Sequence, residues 1–394
     1  MPDSEPNLAQ PESEERDAYF IADASEIFSP GMVVFRELLE HNLQEMVRMA
    51  GGPERLRPHC KTHKTREIVA MQLKLGISKH KCATIAEAEM LAGCGVQDVL
   101  LAYQPVGPNV ARLVRLIDKF PETRFSCLVD HPKPVAELSR AVIAKQDSHD
   151  ETAAARRLGV LLDLDSGMNR TGIQLGPDAI ELFEMVLTSD GLEMSGLHWY
   201  DGHHRQPDLE QRTGEVNAGW DKLIRFRDQL LLSGLEVPRI VTAGTGSFPI
   251  LAEHDEPNLE LSPGTTTFYD DDMATRFPEL NFRPALGILT RVVSRNRAKH
   301  LTLDVGHKSC AADQPFGRRL VFPGIPDAQE VMHSEEHLVI KTELADQFKL
   351  GDHLIAIPRH ACPVSAVHQF ANVVVNGKLD SRWEVIARDR ILTV

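Results

Sequence analysis

Between residues 56 and 268, short strand-like runs alternate with helix-like segments, and this alternation constrains the fold of the chain more than any other feature. Apolar runs of strand length and apolar residues at helical spacing distinguish the two kinds of segment. The strand-like runs are residues 56–61, 80–84, 98–103, 124–130, 158–165, 192–200, 239–243 and 258–268. Strands that alternate with helices form a parallel sheet, and eight such units are the number in a (β/α)₈ barrel. We therefore predict an α/β TIM-type barrel.

Helix-like segments separate most of these runs, and three of them begin near a proline, as helices often do. They are residues 65–75, 85–92, 108–119, 132–144, 177–189 and 209–232. Ahead of the barrel pattern, residues 18–21 are predicted as a strand and residues 33–49 as a helix. No GxGxxG sequence follows Lys61, so a doubly wound dinucleotide-binding sheet is not favoured.

An all-β pattern replaces the alternation after about Asp272. Short β-rich runs with turn residues between them cover residues 286–296, 300–305, 319–322, 337–342, 353–358, 371–375 and 383–388. We therefore predict three parts. Residues 1–17 form a disordered acidic tail, residues 18–272 form the barrel, and residues 273–394 form a C-terminal β domain. Residues 18–30 can alternatively be assigned to the β domain.

The composition restricts the partners and the compartment. The chain of 394 residues has 43 Lys and Arg against 57 Asp and Glu, a net charge of −14, which argues against a nucleic-acid or anionic-membrane surface. Its six cysteines include no CxxC pair, which is typical of reduced thiols in a cytoplasmic protein. No apolar run has transmembrane length, and the acidic start does not resemble a signal peptide. We expect a cytoplasmic protein without nucleic-acid or membrane partners.

Polar and glycine-rich groups follow the predicted strands, where barrel enzymes place their chemistry. Lys61 ends the first strand, and a desolvated lysine amine there can act as a nucleophile or base. The turns 244–247 and 264–265 offer backbone N–H groups and hydroxyls, which a phosphate requires. With Tyr200 between them, these groups predict pyridoxal 5′-phosphate (PLP). The alternatives are a solvated basic loop, plain turns, a surface Arg170 and a Tyr200 that only packs.

A second group of candidate residues lies in the predicted β domain. His360 and Cys362 are two positions apart, and residues at that spacing in a strand point to the same face. Imidazole and thiolate together suit Zn²⁺, although further ligands or waters would be needed. The alternative is a buried cysteine beside an unrelated histidine.

Six motifs, taken together and in this order, resemble the D-threonine aldolase and D-serine dehydratase family, from about Ile21 to Val394. They are Arg57-Pro58-His59-Cys60-Lys61-Thr62-His63-Lys64, Asp165-Ser166-Gly167-Met168-Asn169-Arg170-Thr171-Gly172, Tyr200-Asp201-Gly202-His203, Ala243-Gly244-Thr245-Gly246-Ser247, Ser334-Glu335-Glu336-His337 and His360-Ala361-Cys362-Pro363. This family consists of metal-activated PLP enzymes. The resemblance implies the alanine racemase-type fold (PLP fold type III), a TIM-type barrel followed by a β domain, and a homodimer.

The resemblance also implies roles for individual residues. Lys61 would carry PLP as a Schiff base, Arg170 would contact the ring oxygen, and Tyr200 would lie beside the cofactor. A divalent metal, Zn or Mn/Mg, would bind His360 and Cys362 and hold the β-hydroxyl of the substrate. Lys61, His360 and Cys362 are thus the predicted catalytic residues. The predicted phosphate contacts are Thr242, Gly244, Thr245, Gly264 and Thr265.

The predicted function is a PLP- and metal-dependent lyase that acts on a small D-3-hydroxy amino acid. Retro-aldol cleavage to glycine and an aldehyde is narrowly favoured, and β-elimination to a 2-oxo acid and ammonia is the alternative. A cysteine at the second metal position, here Cys362, is typical of the dehydratases in this family, whereas the run Tyr200-Asp201-Gly202-His203 is similar to the aldolases. Residues 364–368 depart from the usual family sequence, which leaves the substrate open. An amino acid racemase and a non-catalytic PLP carrier are more distant alternatives.

Overall fold

The computed structural model describes residues 18–146 and 157–394, so the predicted acidic tail lies outside the described residues. The described chain divides into two compact units. One comprises the residues up to Asn42 together with Phe268–Val385, and the other comprises Leu43–Thr267 and Ile386–Val394. We call them the β unit and the barrel unit. No helix of the described chain is long and apolar enough to cross a membrane.

Strand β1 (Gly31–Phe35) belongs to the β unit and precedes helix α1 (Arg36–Ala50). The sequence analysis placed Val33 to Phe35 in the helix, because a short apolar run does not by itself distinguish a buried strand from a helix. The predicted strand at residues 18–21 is not formed. Ile21 instead packs in a core with Val33 and Leu289. Residues 18–42 therefore lie in the β unit, whereas the predicted barrel began at residue 18.

Seven parallel strands, in the order of the chain, form the sheet of the barrel unit. They are β2 (Lys79–Cys82), β3 (Asp98–Leu101), β4 (Arg124–Val129), β5 (Leu158–Leu164), β6 (Leu192–Trp199), β7 (Ile240–Thr242) and β8 (Leu259–Leu261). Leu100, Leu128, Leu161 and Val241 come from strands that are not all neighbours, yet they form one buried cluster. This cluster is the apolar interior of the barrel.

The first of the eight predicted strands, residues 56–61, is reduced to single pairings. Leu56 pairs with Leu261 in β8, and His59 pairs with Lys81 in β2, both in parallel. The amide of Arg57 donates to Leu261 (2.8 Å), and the amide of Lys81 donates to Pro58 (3.0 Å). The segment thus lies between the first and last strands of the sheet and closes it. Proline at position 58 lacks an N–H, so a regular ladder cannot form there.

Six of the seven barrel helices in the described chain follow the sequence pattern closely. They are α2 (Arg66–Lys74), α3 (Ile85–Gly93), α4 (Pro108–Lys119), α5 (Pro132–Gln146), α6 (Pro177–Thr188) and α7 (Leu209–Leu232), and the seventh, the short α8 (Phe248–Ala252), was not predicted. Thr84 caps α3, because its side chain accepts a hydrogen bond from the amide of Glu87. Asp208 caps α7 in the same way through the amide of Gln211. These caps explain why the helices begin where the sequence predicts.

The β unit contains a nine-stranded, mostly antiparallel sheet. Its other strands are β9 (Leu286–Ser294), β10 (His300–Leu303), β11 (Leu320–Val321), β12 (Gln329–His333), β13 (Leu338–Lys341), β14 (His353–Pro358), β15 (Phe370–Val375) and β16 (Lys378–Glu384). Short helices α9 (Asp271–Arg276), α10 (His307–Cys310) and α11 (Ala361–Val367) complete it. β1 pairs with β9 and, in parallel, with β15. The predicted barrel followed by a β domain is confirmed, but β12 was missed and the last predicted strand ends before Ile386.

Candidate active site

Lys61 lies in a tight turn, Cys60–Thr62, immediately after the segment that closes the barrel. The ring of His59 accepts a hydrogen bond from the amide of Lys61 through Nδ1 at 3.2 Å. His59 is buried, and burial together with Lys61, Lys81 and Lys64 holds its pKa well below the usual value. The imidazole is therefore neutral, which is the form that can accept this bond. The turn fixes the backbone at the residue predicted to react.

Lys64 is held away from this reactive position by Glu87, which is fully buried on α3. The two side chains form an ion pair, and the carboxylate also accepts from the amide of Ala83 at 2.6 Å. Lys64 has a φ of 58°, a left-handed conformation that is costly for a residue with a side chain. The amide of Ala387, in the C-terminal segment, donates to the carbonyl of Lys64 at 3.2 Å. These contacts give Lys64 a structural position and leave Lys61 as the candidate.

The ring of Tyr200 brings together three cationic side chains, and we call these four residues the Tyr200 pocket. Nζ of Lys61 lies 5.9 Å from the ring centroid, Nζ of Lys81 lies 5.4 Å from it, and Cζ of Arg170 lies 4.8 Å from it. Cations at these distances are attracted by the electron-rich face of the ring. The structure thus brings three predicted residues together. Lys81 was missed by the sequence analysis.

Lys81 projects from the middle of β2 and is only 2% exposed. Burial, and next the positive charge of Lys61, lower its pKa to about 7, although Asp163 and Asp201 oppose the shift. A signal was present in the sequence, because a charged side chain in a strand buried on both faces needs a partner or a function.

His198 and Asp163 line the same part of the barrel. Nδ1 of His198 lies 2.6 Å from a carboxylate oxygen of Asp163, and both residues are buried. Burial and the nearby Lys81 lower the pKa of His198, so a neutral imidazole donates its N–H to the carboxylate. The negative charge of Asp163 is thereby retained close to the cations of the Tyr200 pocket.

Some of the predicted phosphate-binding groups already form hydrogen bonds within the protein, and others do not. The amide of Gly244 already donates to Asp201 (2.9 Å) and to the hydroxyl of Ser247 (3.0 Å). The hydroxyl of Thr242 donates to the carbonyl of Trp199 at 2.7 Å. These two predicted phosphate contacts are therefore engaged with protein groups. Thr245, Gly264 and Thr265 are the predicted phosphate residues for which such engagement is not seen in the described chain.

Two glycines are required by close packing around the pocket. A Cβ on Gly202 would lie 2.2 Å from the hydroxyl oxygen of Tyr200, which is an overlap. A Cβ on Gly264 would lie 3.1 Å from Cβ of His59, beside the turn that carries Lys61. Gly202 therefore allows Tyr200 its position, and Gly264 allows the segment after the last barrel strand to approach the turn that carries Lys61.

At the opposite ends of the barrel strands, charged residues are paired with one another. We call them the strand-start ion cluster: Arg57, Lys79, Asp98, Arg239 and Glu260. Arg57 is fully buried and bonds to Asp98 (2.8 Å) and Glu260 (2.5 Å). Lys79 bonds to Glu260 (3.0 Å), and Arg239 bonds to Asp98 (2.8 Å). Arg57 thus belongs to this structural cluster and not to a basic binding loop.

His360 and Cys362 lie in the β unit, but not in one strand as predicted. His360 follows β14, and Cys362 lies in the first turn of α11. Nδ1 of His360 is 2.5 Å from a carboxylate oxygen of Asp313, a residue that the sequence analysis missed. Burial lowers the pKa of His360, but Cys362 and Asp313 outweigh it and raise the pKa to about 9. Imidazole and thiol groups therefore meet here with a carboxylate, although the predicted strand geometry is wrong.

Asp270 fixes the backbone beside this pair of candidate ligands. Its carboxylate accepts from the amide of Ala361 at 2.9 Å, at the start of α11. Burial raises the pKa of Asp270 to about 6. The carboxylate therefore holds the short segment between His360 and Cys362 in place.

His59, Cys60 and Glu87 also lie within ligand distance of one another, all their ligand atoms falling within 4.8 Å. Burial, and next the charge of Glu87, hold the pKa of Cys60 well above its usual value, so the thiol keeps its proton. A protonated thiol is a poor ligand, and Glu87 is already paired with Lys64. These residues are better explained as the support of the Lys61 turn.

Comparison with known families agrees with this architecture. A family model described as "Alanine racemase, N-terminal domain" matches residues 36–270. A second model, described as "Putative serine dehydratase domain", matches residues 285–374. The first covers most of the barrel unit, and the second covers the sheet that leads to His360 and Cys362.

Individual relatives match along almost the whole chain. A D-threonine aldolase of an Arthrobacter species is 29% identical over 368 residues, covering 91% of this chain and 92% of that protein. A 3-hydroxy-D-aspartate aldolase of Paracoccus denitrificans is 28% identical over 383 residues, covering 93% and 94%. The crystal structure of a D-threonine aldolase from Filomicrobium marinum superposes with a TM-score of 0.82 at 29% identity, covering 92% and 95%. The resemblance predicted from the six motifs is confirmed.

Proposed function

We propose a function from the premise that this chain belongs to the family described as "Alanine racemase, N-terminal domain". The protein is a lyase that acts on D-3-hydroxy amino acids, with aldol cleavage to glycine and an aldehyde as the favoured reaction. Its similarity to two aldolases over nine-tenths of the chain supports this choice. The observation that carries the proposal is the position of the Lys61 amine and Arg170 against the ring of Tyr200.

The residues of the barrel unit fit PLP. Among the described residues no group accepts a hydrogen bond from the amine of Lys81, which faces the Tyr200 pocket, and Lys61 offers a second amine there. PLP supplies an electron sink for the pair of electrons released when a bond to the substrate Cα breaks. Lys61 would hold the cofactor through its amine, Arg170 would neutralise an anionic ring oxygen, and Tyr200 would position the ring. Thr245, Gly264 and Thr265 are the proposed phosphate contacts.

The β unit fits a divalent metal. His360 and Cys362 would be ligands. The carboxylate of Asp313, 2.5 Å from Nδ1 of His360, would orient the imidazole, as carboxylates that hydrogen-bond to a histidine ligand do in metal sites. A divalent metal would supply a Lewis acid that polarises a hydroxyl group. A histidine and a thiolate favour zinc over magnesium as the ion.

The two lyase reactions differ in the proton that the protein must remove. Cleavage between Cα and Cβ needs a base for the β-hydroxyl proton. Elimination needs a base for the α-proton, and Lys61 is the proposed base. The dehydratase reaction remains the second candidate, because residues 285–374 match the serine dehydratase model and Cys362 lies in that region.

Product analysis tests the proposal directly. The purified holoenzyme is incubated with D-threonine, D-serine and D-3-hydroxyaspartate. Glycine with an aldehyde supports the aldolase, and a 2-oxo acid with ammonia supports the dehydratase. Conversion to the L-enantiomer without a carbonyl product would identify a racemase. No turnover by a protein that still binds PLP would favour a carrier.

We further propose that the protein is a cytoplasmic homodimer that needs no nucleic-acid or membrane partner. The resemblance to the aldolase family supports the dimer. Sedimentation equilibrium at several protein concentrations measures its mass, and a monomer throughout would contradict this proposal.

A further inference from the structure

We propose that Lys81 is a binding residue for an oxyanion of the molecule that lies against Tyr200, and that it takes up a proton when that oxyanion binds. The inference rests on the proposed function, because it assumes that the pocket holds PLP or an amino acid bound next to it. It goes beyond that function by giving a role to a residue that neither the motifs nor the predicted site contains.

The first argument is the burial of an amine without a partner. Lys81 is 2% exposed, and within residues 18–146 and 157–394 no group accepts a hydrogen bond from its Nζ. An unpaired polar group in a protein interior is costly, and most such groups mark a bound water, an ion or a functional site. Beyond its own strand, Nζ of Lys81 faces the ring of Tyr200, 5.4 Å from the ring centroid.

Lys79, two positions earlier on the same strand, provides an internal comparison. Residues at that spacing point to the same face of a strand, so both lysines face the barrel interior. Nζ of Lys79 bonds to Glu260 at 3.0 Å, whereas no carboxylate of the part of the chain that the structure describes lies at hydrogen-bond distance from Nζ of Lys81. The missing partner of Lys81 is therefore a property of its position in the pocket, and a ligand can supply it.

The charges around Lys81 favour an anionic ligand. Lys61 and Arg170 add positive charge, and the neutral rings of His59 and His198 add none. Asp163 is bonded to His198, and Asp201 accepts from Gly244 and Ser247. Both carboxylates are therefore engaged elsewhere, and the pocket has an excess of cations that an oxyanion would balance.

The direction of the proton transfer follows from these charges. Without a ligand, burial and Lys61 lower the pKa of Lys81 to about 7, so the amine is about half protonated at neutral pH. An oxyanion at hydrogen-bond distance favours the ammonium form and raises this pKa. Binding above about pH 7 therefore takes up a proton, and affinity falls as the pH rises above that value.

Two molecules could supply the oxyanion: the ring of the cofactor, through its phenolate oxygen, or the amino acid, through its carboxylate. The first experiment uses 4′-deoxypyridoxine 5′-phosphate and the apoenzyme. This probe keeps the ring oxygen and the phosphate but carries a methyl group in place of the aldehyde, so it cannot form a Schiff base with Lys61. The second experiment uses glycine and the holoenzyme, and it follows the change in visible absorbance.

Each ligand is titrated calorimetrically at pH 8 in two buffers that differ in ionisation enthalpy, which gives the number of protons taken up. We expect uptake by the wild-type protein in at least one experiment. Lys81→Met should abolish that uptake and weaken binding roughly tenfold or more, as expected for a lost charged hydrogen bond. Lys81→Arg should keep the affinity without uptake, because guanidinium does not titrate in this range.

The matched control is Lys79→Met, which removes a lysine from the same strand and should leave both affinity and uptake unchanged. A loss confined to the deoxypyridoxine arm assigns the cofactor ring as the source, and a loss confined to glycine assigns the carboxylate. Absence of proton uptake by the wild-type protein in both arms overturns the proposal, and this measurement needs no variant. Equal affinities of wild type and Lys81→Met overturn it as well.

Failure of this inference is distinguishable from failure of the proposed function. The function is tested by the products formed from D-3-hydroxy amino acids, whereas Lys81 is tested by ligand binding and proton uptake. A protein that forms glycine and an aldehyde but takes up no proton keeps its function and loses this role for Lys81.

Discussion

The interior of the barrel holds two groups of charged residues, at opposite ends of the same strands, and they differ in whether the charges are paired. In the strand-start ion cluster, Arg57 bonds to both Asp98 and Glu260. In the Tyr200 pocket, Lys61 and Lys81 share an aromatic ring and lie close to Arg170, with no carboxylate bonded to either amine within the described chain.

This difference distinguishes charged residues that stabilise the barrel from charged residues that can bind a ligand. Buried charges that satisfy one another need no ligand, and barrel enzymes carry stability at that end of the strands. Buried charges that lack partners are retained at a cost in stability, and perturbed ionisation is frequent at functional sites. Lys79 and Lys81 show both cases two residues apart. We therefore expect variants in the first group to change stability and variants in the second to change binding and catalysis.

The largest effect is expected from Lys61→Ala, because it removes the amine that would hold the cofactor. Activity should fall by about a thousandfold or more, the scale seen when a residue that acts covalently is lost. The visible absorbance of the cofactor should disappear, while the unfolding midpoint of the apoprotein stays close to that of the wild type. A variant that keeps the visible band would contradict the assignment of Lys61.

Arg57→Met tests the strand-start ion cluster, in which the charges are paired. It leaves the carboxylates of Asp98 and Glu260 in the interior without their buried partner, which should cost about 3–5 kcal/mol of stability. Denaturant unfolding measures the loss. The activity of each molecule that remains folded should be close to normal, since Arg57 does not face the Tyr200 pocket. A stable but inactive variant would place Arg57 in the active site and break the distinction between the two groups.

A smaller effect is expected in the β unit from Asp313→Asn. The change keeps the shape of the side chain but removes the charge that holds the imidazole of His360. Metal affinity should fall by roughly 10–100-fold, as for other residues that support a ligand. Competition with a chelator, followed by measurement of bound zinc, gives this value. As a positive control, His360→Ala should lose the metal altogether, and an enzyme fully active after metal removal would exclude the metal from the reaction.

The sequence could predict the barrel because periodicity reports directly on which faces are buried. The order of the strands also led to the prediction that Lys61, Arg170 and Tyr200 lie together, since the ends of parallel strands meet at one edge of a sheet. The prediction missed Lys81, although a charged side chain in a buried strand was a usable signal, because the glycine-rich and polar strand ends alone were searched for chemistry. The sequence could not predict Asp313, because that carboxylate reaches His360 from a distant loop through folding alone.

The closing segment shows a further limit of periodicity. Residues 56–61 look like a strand, yet the structure forms two single pairings and then a turn. Pro58 interrupts the ladder, and the turn at Cys60–Thr62 then brings Lys61 to its place. The departure from regular structure falls at the proposed reactive residue. Local rules commonly fail at functional sites, where geometry is selected for chemistry.

The smallest effect is expected from Glu87→Gln, which tests how the Tyr200 pocket depends on the support behind it. Glu87 is fully buried, pairs with Lys64 and accepts from the amide of Ala83, so it holds the strained residue that follows the Lys61 turn. Glutamine keeps the size of the side chain but not its charge. We expect kcat to fall by roughly threefold to tenfold with little change in KM, because a small misplacement of a reacting group affects the rate more than binding.

The matched control for this change is Glu89→Gln, two residues along the same helix. Glu89 pairs with Lys119 and accepts from Thr393 near the C-terminus, away from the Lys61 turn. The Glu89→Gln variant should be less stable than the wild type, with kcat and the absorbance spectrum of the cofactor unchanged. Glu87→Asp, which restores the charge, should recover part of the lost rate and return the absorbance maximum toward that of the wild type. If the two glutamine variants reduce kcat equally, Glu87 acts only through general stability, and the pocket does not depend on this buried ion pair for the position of Lys61.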